Sequence, residues 1–421
     1  MRTVLVTGTG GAGRTTVAAA TALAAAREGR RTLLLTADRG PVPDALLATA
    51  LPAESLGPAE PISAAPGLWA ARIDAAARFR DHAQDLQERG ASLLDLLGAA
   101  PFDAEELTEL PGAEAVATLA ALRSAHAAGG WDLIVVDAPT VARTVRLLAL
   151  PEQLRRYLRR LLPTERQAAR ALRPMLAQLV GVPMPAQRLY EHAEHWDGEL
   201  AAVQGIVESA ATTVRLVVEP GAHAAESLRA ARAGLALQGC RVDAVIANRL
   251  LPTGSADPFL AALSGRQQTA LKEIHEAAEE YAHGTAARCE LPHLGRDIQG
   301  PDDVAELAGR CVTAAGDHAA RALVPEARAA REGQAPDPWS VEDRLAEDGV
   351  LLWLLPLPGA RRDGLDLVRR GDELIVSVGP FRRVLPLPSA LRRCAVSGAG
   401  LRDGVLRVRF TPDPGLWPKG L

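Results

Sequence analysis

The sequence is poor in several residues that would place it outside the ordinary globular class. Its 421 residues include only 4 cysteines, Cys240, Cys289, Cys311 and Cys394, and no two of them form a C-x-x-C pair. Spacing of this kind gives neither a disulfide framework nor a zinc site. No run of about 18 apolar residues occurs, so no transmembrane helix is expected. The apolar N-terminal stretch is broken by Gly8, Gly10, Gly11 and Gly13 and lacks the h-region and cleavage site of a signal peptide. A formal net charge of −4 provides no surplus of base for nucleic acid. Lysine is rare, and methionine occurs only 3 times. These absences leave a cytoplasmic protein with buried thiols, long enough for a large core and two domains.

What is present is concentrated near the N-terminus. Thr3–Thr7 reads as a short buried strand, and the glycine-rich run Gly8-Thr-Gly-Gly-Ala-Gly-Arg-Thr-Thr16 follows it. That run opens an Ala- and Leu-rich helix over 15–28, closed by Gly29. A second strand, Thr32–Thr36, ends on Asp38. Glycines let backbone N–H groups turn toward one point, and a helix N-terminus adds positive potential there, so this layout suits a phosphate. The pattern G-x-x-x-x-G-K-[ST] falls on Gly8, Gly13, position 14 and Thr15, with Arg14 in place of lysine.

Further along, helices are expected over 78–99 and 105–128, and Trp69–Ile73 has the look of a strand. The strand ending Leu133-Ile-Val-Val-Asp137 is the clearest in the chain. Residues 142–210 read as a helical insertion, striped by Arg155, Arg156, Arg159, Arg160, Arg166, Arg170 and Arg173 and backed by leucines. Strands at 213–218 and 242–247 flank a helix, and helices at 267–281 and 304–315 follow. Strands alternating with helices imply a mostly parallel sheet covered on both faces, an α/β fold. The glycine loop between the first strand and helix gives it the layout of a P-loop NTPase. That domain spans 1–322. Pro325, Pro336 and Pro338 mark a linker over 323–340. Short β segments separated by turns then give an antiparallel β-sandwich over 341–421.

Two acids end strands beside the glycine loop. In an open parallel sheet, ligands lie outside the carboxyl ends of the strands, where Asp38 and Asp137 belong. Asp137 suits Mg²⁺ held through water, and the Thr15 hydroxyl suits a direct ligand. The plainer alternative is that both carboxylates only cap loops.

At this point a family resemblance emerges. The loop at 8–16 resembles the deviant phosphate loop G-K-G-G-V-G-K-T-T of the arsenite-pump ATPase (ArsA) family and its relative that targets tail-anchored proteins. Thr36-Ala-Asp38 resembles the first switch of that family. Asp137-Ala-Pro-Thr-Val-Ala-Arg-Thr-Val-Arg-Leu-Leu-Ala-Leu-Pro151 resembles its second switch. Asn248-Arg249-Leu250 resembles the strand end that reads adenine, and Leu291-Pro292-His-Leu294 the segment lining the base. The match is collinear over about 1–315. It implies ATP and Mg²⁺ as ligands, with Gly8, Thr9, Gly10, Gly11, Ala12, Gly13, Arg14, Thr15, Thr16, Asn248, Arg249 and Pro292 around the nucleotide. It implies Thr15 and Asp137 at the metal, and Asp38 as the group that positions attacking water.

The departures fall where the chemistry happens. The family's first loop lysine, which reaches the partner's phosphates across a dimer interface, is Thr9 here, and the second, which cradles the β- and γ-phosphates, is Arg14. Arginine keeps the charge but is bulkier and planar. Phosphoryl transfer depends on positioning and charge stabilisation, so rate should suffer more than binding. The expectation is therefore a dimeric nucleotide-binding protein with weak or absent ATP hydrolysis that handles a protein client. Alternatives are a non-catalytic holdase or the inactive partner of an intact ArsA-like paralogue in a heterodimer. A metalloid pump is disfavoured because the cysteines show no grouping in sequence.

The C-terminal stretch resembles the α-crystallin domain of small heat-shock proteins through Leu354-Leu-Pro-Leu-Pro-Gly359, Asp372–Val376, Arg383–Pro388 and Asp403–Val408. An unrelated small β-domain is the alternative. For the Arg/Leu region, a client surface is weighed against an amphipathic helix packed on its own domain with a solvated Arg face. The second is preferred because the apolar face is narrow and methionine scarce.

Overall fold

The computed structural model describes residues 1–52, 61–89, 100–161, 185–279, 286–313, 320–325 and 339–417. The expected helical positions 90–99, the insertion residues 162–184 and most of the expected linker lie outside them.

Nine strands form one sheet in the order β3-β4-β2-β5-β1-β6-β7-β8-β9. They are β1 (Arg2–Gly8), β2 (Thr32–Thr36), β3 (Ile62–Ala65), β4 (Leu68–Arg72), β5 (Leu133–Thr140), β6 (Thr212–Val218), β7 (Val242–Leu250), β8 (Ala287–Pro292) and β9 (Val312–Thr313). All neighbours run parallel except the edge pairs β3·β4 and β8·β9. The strands are apolar on both faces, and period-2 alternation sends Val4, Val6, Leu34 and Val135 one way and Leu5, Leu33, Leu35 and Val136 the other.

The first face is covered by α1 (Arg14–Arg27) and α9 (Gly300–Gly309), with α2 (Val42–Leu47) beside them. Every residue of α1 from Val17 to Ala26 is buried. A helix buried all round must be thin, and alanine supplies that without loss of helix propensity. The second face carries α3 (Ala75–Arg89), α4 (Ala113–Ala128), α5 (Val141–Leu161), α6 (Pro185–Glu208), α7 (Ala224–Leu237) and α8 (Pro258–Glu279). α5 starts where β5 ends, and the buried Pro151 removes one rung of its ladder.

The C-terminal domain is an antiparallel sandwich. One sheet has the order β10-β11-β16-β15 and the other β12-β13-β14. Their ranges are β10 (Ser340–Arg344), β11 (Val350–Pro356), β12 (Leu365–Arg370), β13 (Glu373–Val378), β14 (Phe381–Pro386), β15 (Cys394–Arg402) and β16 (Val405–Pro412), with the short helix α10 (Leu345–Asp348) after β10. Trp353, Leu355, Leu374, Val376, Val408 and Phe410 fill the space between the sheets. This interior joins the helical layer on the second face of the large sheet in one core. Phe381 lies against Gly234 of α7, where a Cβ would come within 2.5 Å of the ring.

Candidate functional site

The phosphate-type loop runs from Gly8 to Thr16 between β1 and α1. β1 lies at the middle of the sheet, between β5 and β6, so the loop emerges among the carboxyl ends of neighbouring strands. Gly8 is required because a Cβ there would run into the carbonyl of Val217 on β6. Gly13 is required twice: its φ is 83°, and a Cβ would strike the Asn248 amide. Asn248, buried at the end of β7, donates its Nδ2 to the Ala12 carbonyl at 2.8 Å. The loop and the β7 end are therefore held as one unit. Gly10 and Gly11 are exposed, and Thr9, Arg14, Thr15 and Thr16 half-buried.

The two carboxylates converge on the same point. Thr36 and Asp137 are register partners on β2 and β5, and the Thr36 hydroxyl donates to Asp137 Oδ2 at 2.9 Å. Asp137 is only 8 % exposed. Burial pushes its carboxyl up to about 6, with the nearby Asp38 charge adding to the rise. The Thr36 hydrogen bond, the neighbouring Thr15 hydroxyl and the Arg14 charge oppose that rise. Asp38 is half-buried, accepts from the Gly40 N–H at 2.7 Å and donates its own N–H to the Thr36 hydroxyl at 3.1 Å. Arg14, Thr15, Asp38 and Asp137 thus share one site.

Arg14 is the unusual member. Its Nη1 donates to the Ala138 carbonyl at 2.5 Å, bridging the loop to the end of β5. The next carbonyl, of Pro139, accepts from the Thr7 hydroxyl at 2.6 Å and from the Thr144 hydroxyl at 2.9 Å. The turn after Asp137 is consequently tied to β1, to α1 and to the first turn of α5.

Beyond the loop lies a cavity of about 1160 Å³ lined by Thr16, Asn248, Arg249, Pro292, Glu219 and Gln267 among others. Arg249 adopts φ 61°, a left-handed backbone uncommon outside glycine. Gln267 of α8 holds that backbone: its amide donates to the Arg249 carbonyl at 2.9 Å, and its oxygen accepts the Leu251 N–H at 2.7 Å. Arg249 pairs with Glu219 at 3.1 Å. Asp38 and Asp137 are not among the cavity's lining residues; Asp38 lies two residues past β2, and Asp137 lies in the carboxyl half of β5.

A family model described as anion-transporting ATPase matches residues 1–312. The chain belongs to the ArsA family of ATPases. A second model, for the HSP20-like domain found in ArsA, matches residues 348–410 of this ArsA-family chain. An uncharacterized protein of Streptomyces coelicolor is 54% identical over 421 residues, covering 100% of both chains. A Mycobacterium tuberculosis protein is 30% identical over 446 residues, covering 99% of this chain and 97% of its own. A chain of Aquifex aeolicus, whose name marks it provisionally as an arsenical pump-driving ATPase, is 25% identical over 406 residues, covering 93% and 95%.

The ArsA-family fold gives several residues partners that the sequence does not display. Thr36 becomes the partner of Asp137 only because β2 lies beside β5, and Gln267 acts from a helix far along the chain. Of the cysteines, Cys289 and Cys311 are buried near each other at β8 and just before β9, and the Cys289 thiol donates to the Ala322 carbonyl at 3.7 Å. Among the described residues no cluster of three or more thiol, imidazole or carboxylate groups is placed to hold a metal ion. The Arg stripe is only partly solvated. Arg155 forks onto Asp197 of α6 at 3.0 and 3.1 Å, and Arg156 onto Glu373 of β13 at 3.0 and 2.8 Å. Arg159 and Arg160 are exposed, while Arg166, Arg170 and Arg173 fall outside the described residues. Among the described residues no helix is long and apolar enough to cross a membrane.

Proposed function

We propose that this ArsA-family chain binds ATP with Mg²⁺ and hydrolyses it slowly or not at all. On this reading it is a cytoplasmic dimer whose nucleotide state governs the handling of a protein client. The observation that carries the reading is Arg14: the cradle position is charged, but its guanidinium is engaged by the Ala138 carbonyl at 2.5 Å.

Several features support nucleotide binding. The left-handed glycines leave the loop backbone open to a close-lying anion, and the N-terminus of α1 faces the same space. The donor set of Thr15 hydroxyl and Asp137 carboxylate is made of hard oxygens, which fits Mg²⁺. When bound, the metal would neutralise charge on the phosphates. Loop amides from Gly10 to Thr15 would hold the phosphate oxygens, Asn248, Arg249 and Pro292 the base side, and Asp38 an attacking water. To meet a phosphate, Arg14 must release the Ala138 carbonyl or divide its fork, whereas a lysine ammonium acts as a compact point charge. Thr9 contributes no charge across a dimer interface. Binding survives these changes because it rests mainly on backbone; rate does not, because it rests on charge placed at the transferring group.

The test is calorimetric titration of ATP·Mg²⁺ with parallel phosphate release, for the wild type, Arg14→Lys and Asp38→Asn. The wild type should bind while turning over about 100-fold more slowly than family members with both lysines. Arg14→Lys should raise turnover, and Asp38→Asn should remove what remains without loss of binding. Family-level turnover by the wild type refutes the weak-ATPase reading. Absence of binding in all three leaves a scaffold or holdase.

A further inference from the structure

We infer that the C-terminal sandwich is a positioning element for the candidate phosphate site and acts on it through α5. The nucleotide part of this inference rests on the proposed function; the mechanical part does not.

The connection begins at the site. β5 ends at Thr140 and α5 begins at Val141, with no residue between them. Ala138, engaged by Arg14, and Pro139, engaged by Thr7 and by Thr144 of α5, are fixed by the groups that fix the helix's first turn. A change in the tilt or rotation of α5 therefore moves the backbone immediately after Asp137.

The other half of α5 is gripped by the sandwich. Arg156 makes two parallel bonds to the Glu373 carboxylate at 3.0 and 2.8 Å. Arg383 of β14 reaches Glu152 at 3.0 Å, donates to the Leu237 carbonyl of α7 at 3.2 Å, and stacks on Trp339 with 5.0 Å to the ring centroid. The Arg383 side chain is only 13 % exposed. Forked arginine pairs are directional as well as attractive, so they fix orientation and not distance alone. Two close approaches make the fit steric: Phe381 over Gly234, and Gly359 against the Arg229 carbonyl. The proximal half of α5 is packed through Val145, Leu147 and Leu148, and Pro151, which removes one rung of the helix, is itself buried, so packing on both sides of that rung lets the helix transmit displacement.

Thermodynamic linkage then requires reciprocity: a sandwich that holds α5 in one pose changes nucleotide affinity, and bound nucleotide changes docking by the same factor. Glu373 and Arg383 act through α5 and are positioning residues.

The test uses the full chain. Glu373→Arg sets a like charge against Arg156, and the exchange Arg156→Glu with Glu373→Arg restores the pair. Gly234→Ala loosens docking sterically, without altering any charge. Hydrogen exchange is read in nucleotide-free protein over the peptide 138–148, beside the affinity for ATP·Mg²⁺. Expected are about fivefold faster exchange in 138–148 and about fivefold weaker ATP·Mg²⁺ binding in Glu373→Arg and Gly234→Ala, with both restored in the charge exchange. Unchanged exchange over 138–148 in both single variants overturns the inference, whatever happens at α7. A wild type that binds no ATP refutes the proposed function but leaves the exchange comparison to decide the coupling.

Discussion

Asp137 is asked to be charged where charge is costly. Its folded carboxyl titrates at about 6, raised first by burial, against an ordinary value near 4. A raised carboxyl pKa means that the folded state holds more protons than the unfolded state between those values. Its contribution to stability is complete below about pH 4 and is lost as pH rises through about 6. Asp137→Asn should therefore flatten that part of the stability profile, raise the melting temperature of the ligand-free protein at pH 8 and abolish the Mg²⁺ dependence of nucleotide binding. Thermal unfolding across pH 4–8, variant against wild type, checks this. A steeper loss in the variant would contradict it. At this scale the sequence exposes Arg14, Thr15, Asp38 and Asp137 plainly: the first two open a helix, Asp38 follows β2, and Asp137 interrupts an apolar run, although β5 continues past it to Thr140 instead of ending there. Thr36, Thr7 and Gln267 are hidden because their roles depend on which strands are neighbours, and hydropathy carries no record of strand order.

At the scale of elements, α7 offers a test in which two effects oppose each other. A glycine inside a helix normally costs about 1 kcal/mol relative to alanine, so Gly234→Ala alone would favour the helix. Here the new methyl would sit 2.5 Å from the Phe381 ring. Overpacking costs about 1–3 kcal/mol, so net destabilisation is expected, readable as a lowered midpoint in urea. Stabilisation by the full helix-propensity gain would show that the ring moves aside freely. The same contrast between local and tertiary signals explains which elements sequence reading finds. Buried parallel strands such as β1, β2 and β5 are continuous apolar runs and are visible. β10 reads Ser-Val-Glu-Asp-Arg, is largely exposed, and exists by backbone pairing to β11. β15 is mostly exposed and built from small residues, and it is defined by pairing to β16. α8 begins at Pro258, earlier than the expected 267, and proline is at home in a first helical turn. α4 begins at Ala113 rather than 105, after Gly112 at φ 100°.

At the scale of the whole molecule, both sides of the large sheet are tied to the chain that leads to the sandwich. On one side Arg215, 2 % exposed, pairs with Asp243 at 2.9 Å and donates to Thr21 of α1 at 3.1 Å and to the Leu323 carbonyl. Deleting one partner of a buried ion pair usually costs about 3–5 kcal/mol. Arg2 also stands 3.8 Å from Asp243, so the remaining carboxylate is not abandoned, and Arg215→Ala should fall near 3 kcal/mol by equilibrium unfolding. On the other side the sandwich shares a core with α5 and α7. A single cooperative transition is expected, with intrinsic fluorescence, to which the 6 tryptophans of both parts of the chain contribute, and far-ultraviolet dichroism melting together. Two separated transitions would argue against a common core. Docking should also be insensitive to neutral pH. The Arg156 fork holds Glu373 below its ordinary carboxylate value, so that contribution is present above about pH 4 and lost only as pH falls through the lowered value.

The length of α5 gives this arrangement a scale. With a rise of about 1.5 Å per residue, Arg156 stands about 22 Å from Val141 along the axis. A tilt of about 6° at the strand end sweeps the guanidinium through roughly 2 Å, several times the spread of about 0.5 Å that hydrogen bonds tolerate. The Glu373 fork is then an angular stop with a tolerance of one or two degrees. The helix is a pointer that turns a small rearrangement of the backbone after Asp137 into one large enough to break a contact in another domain.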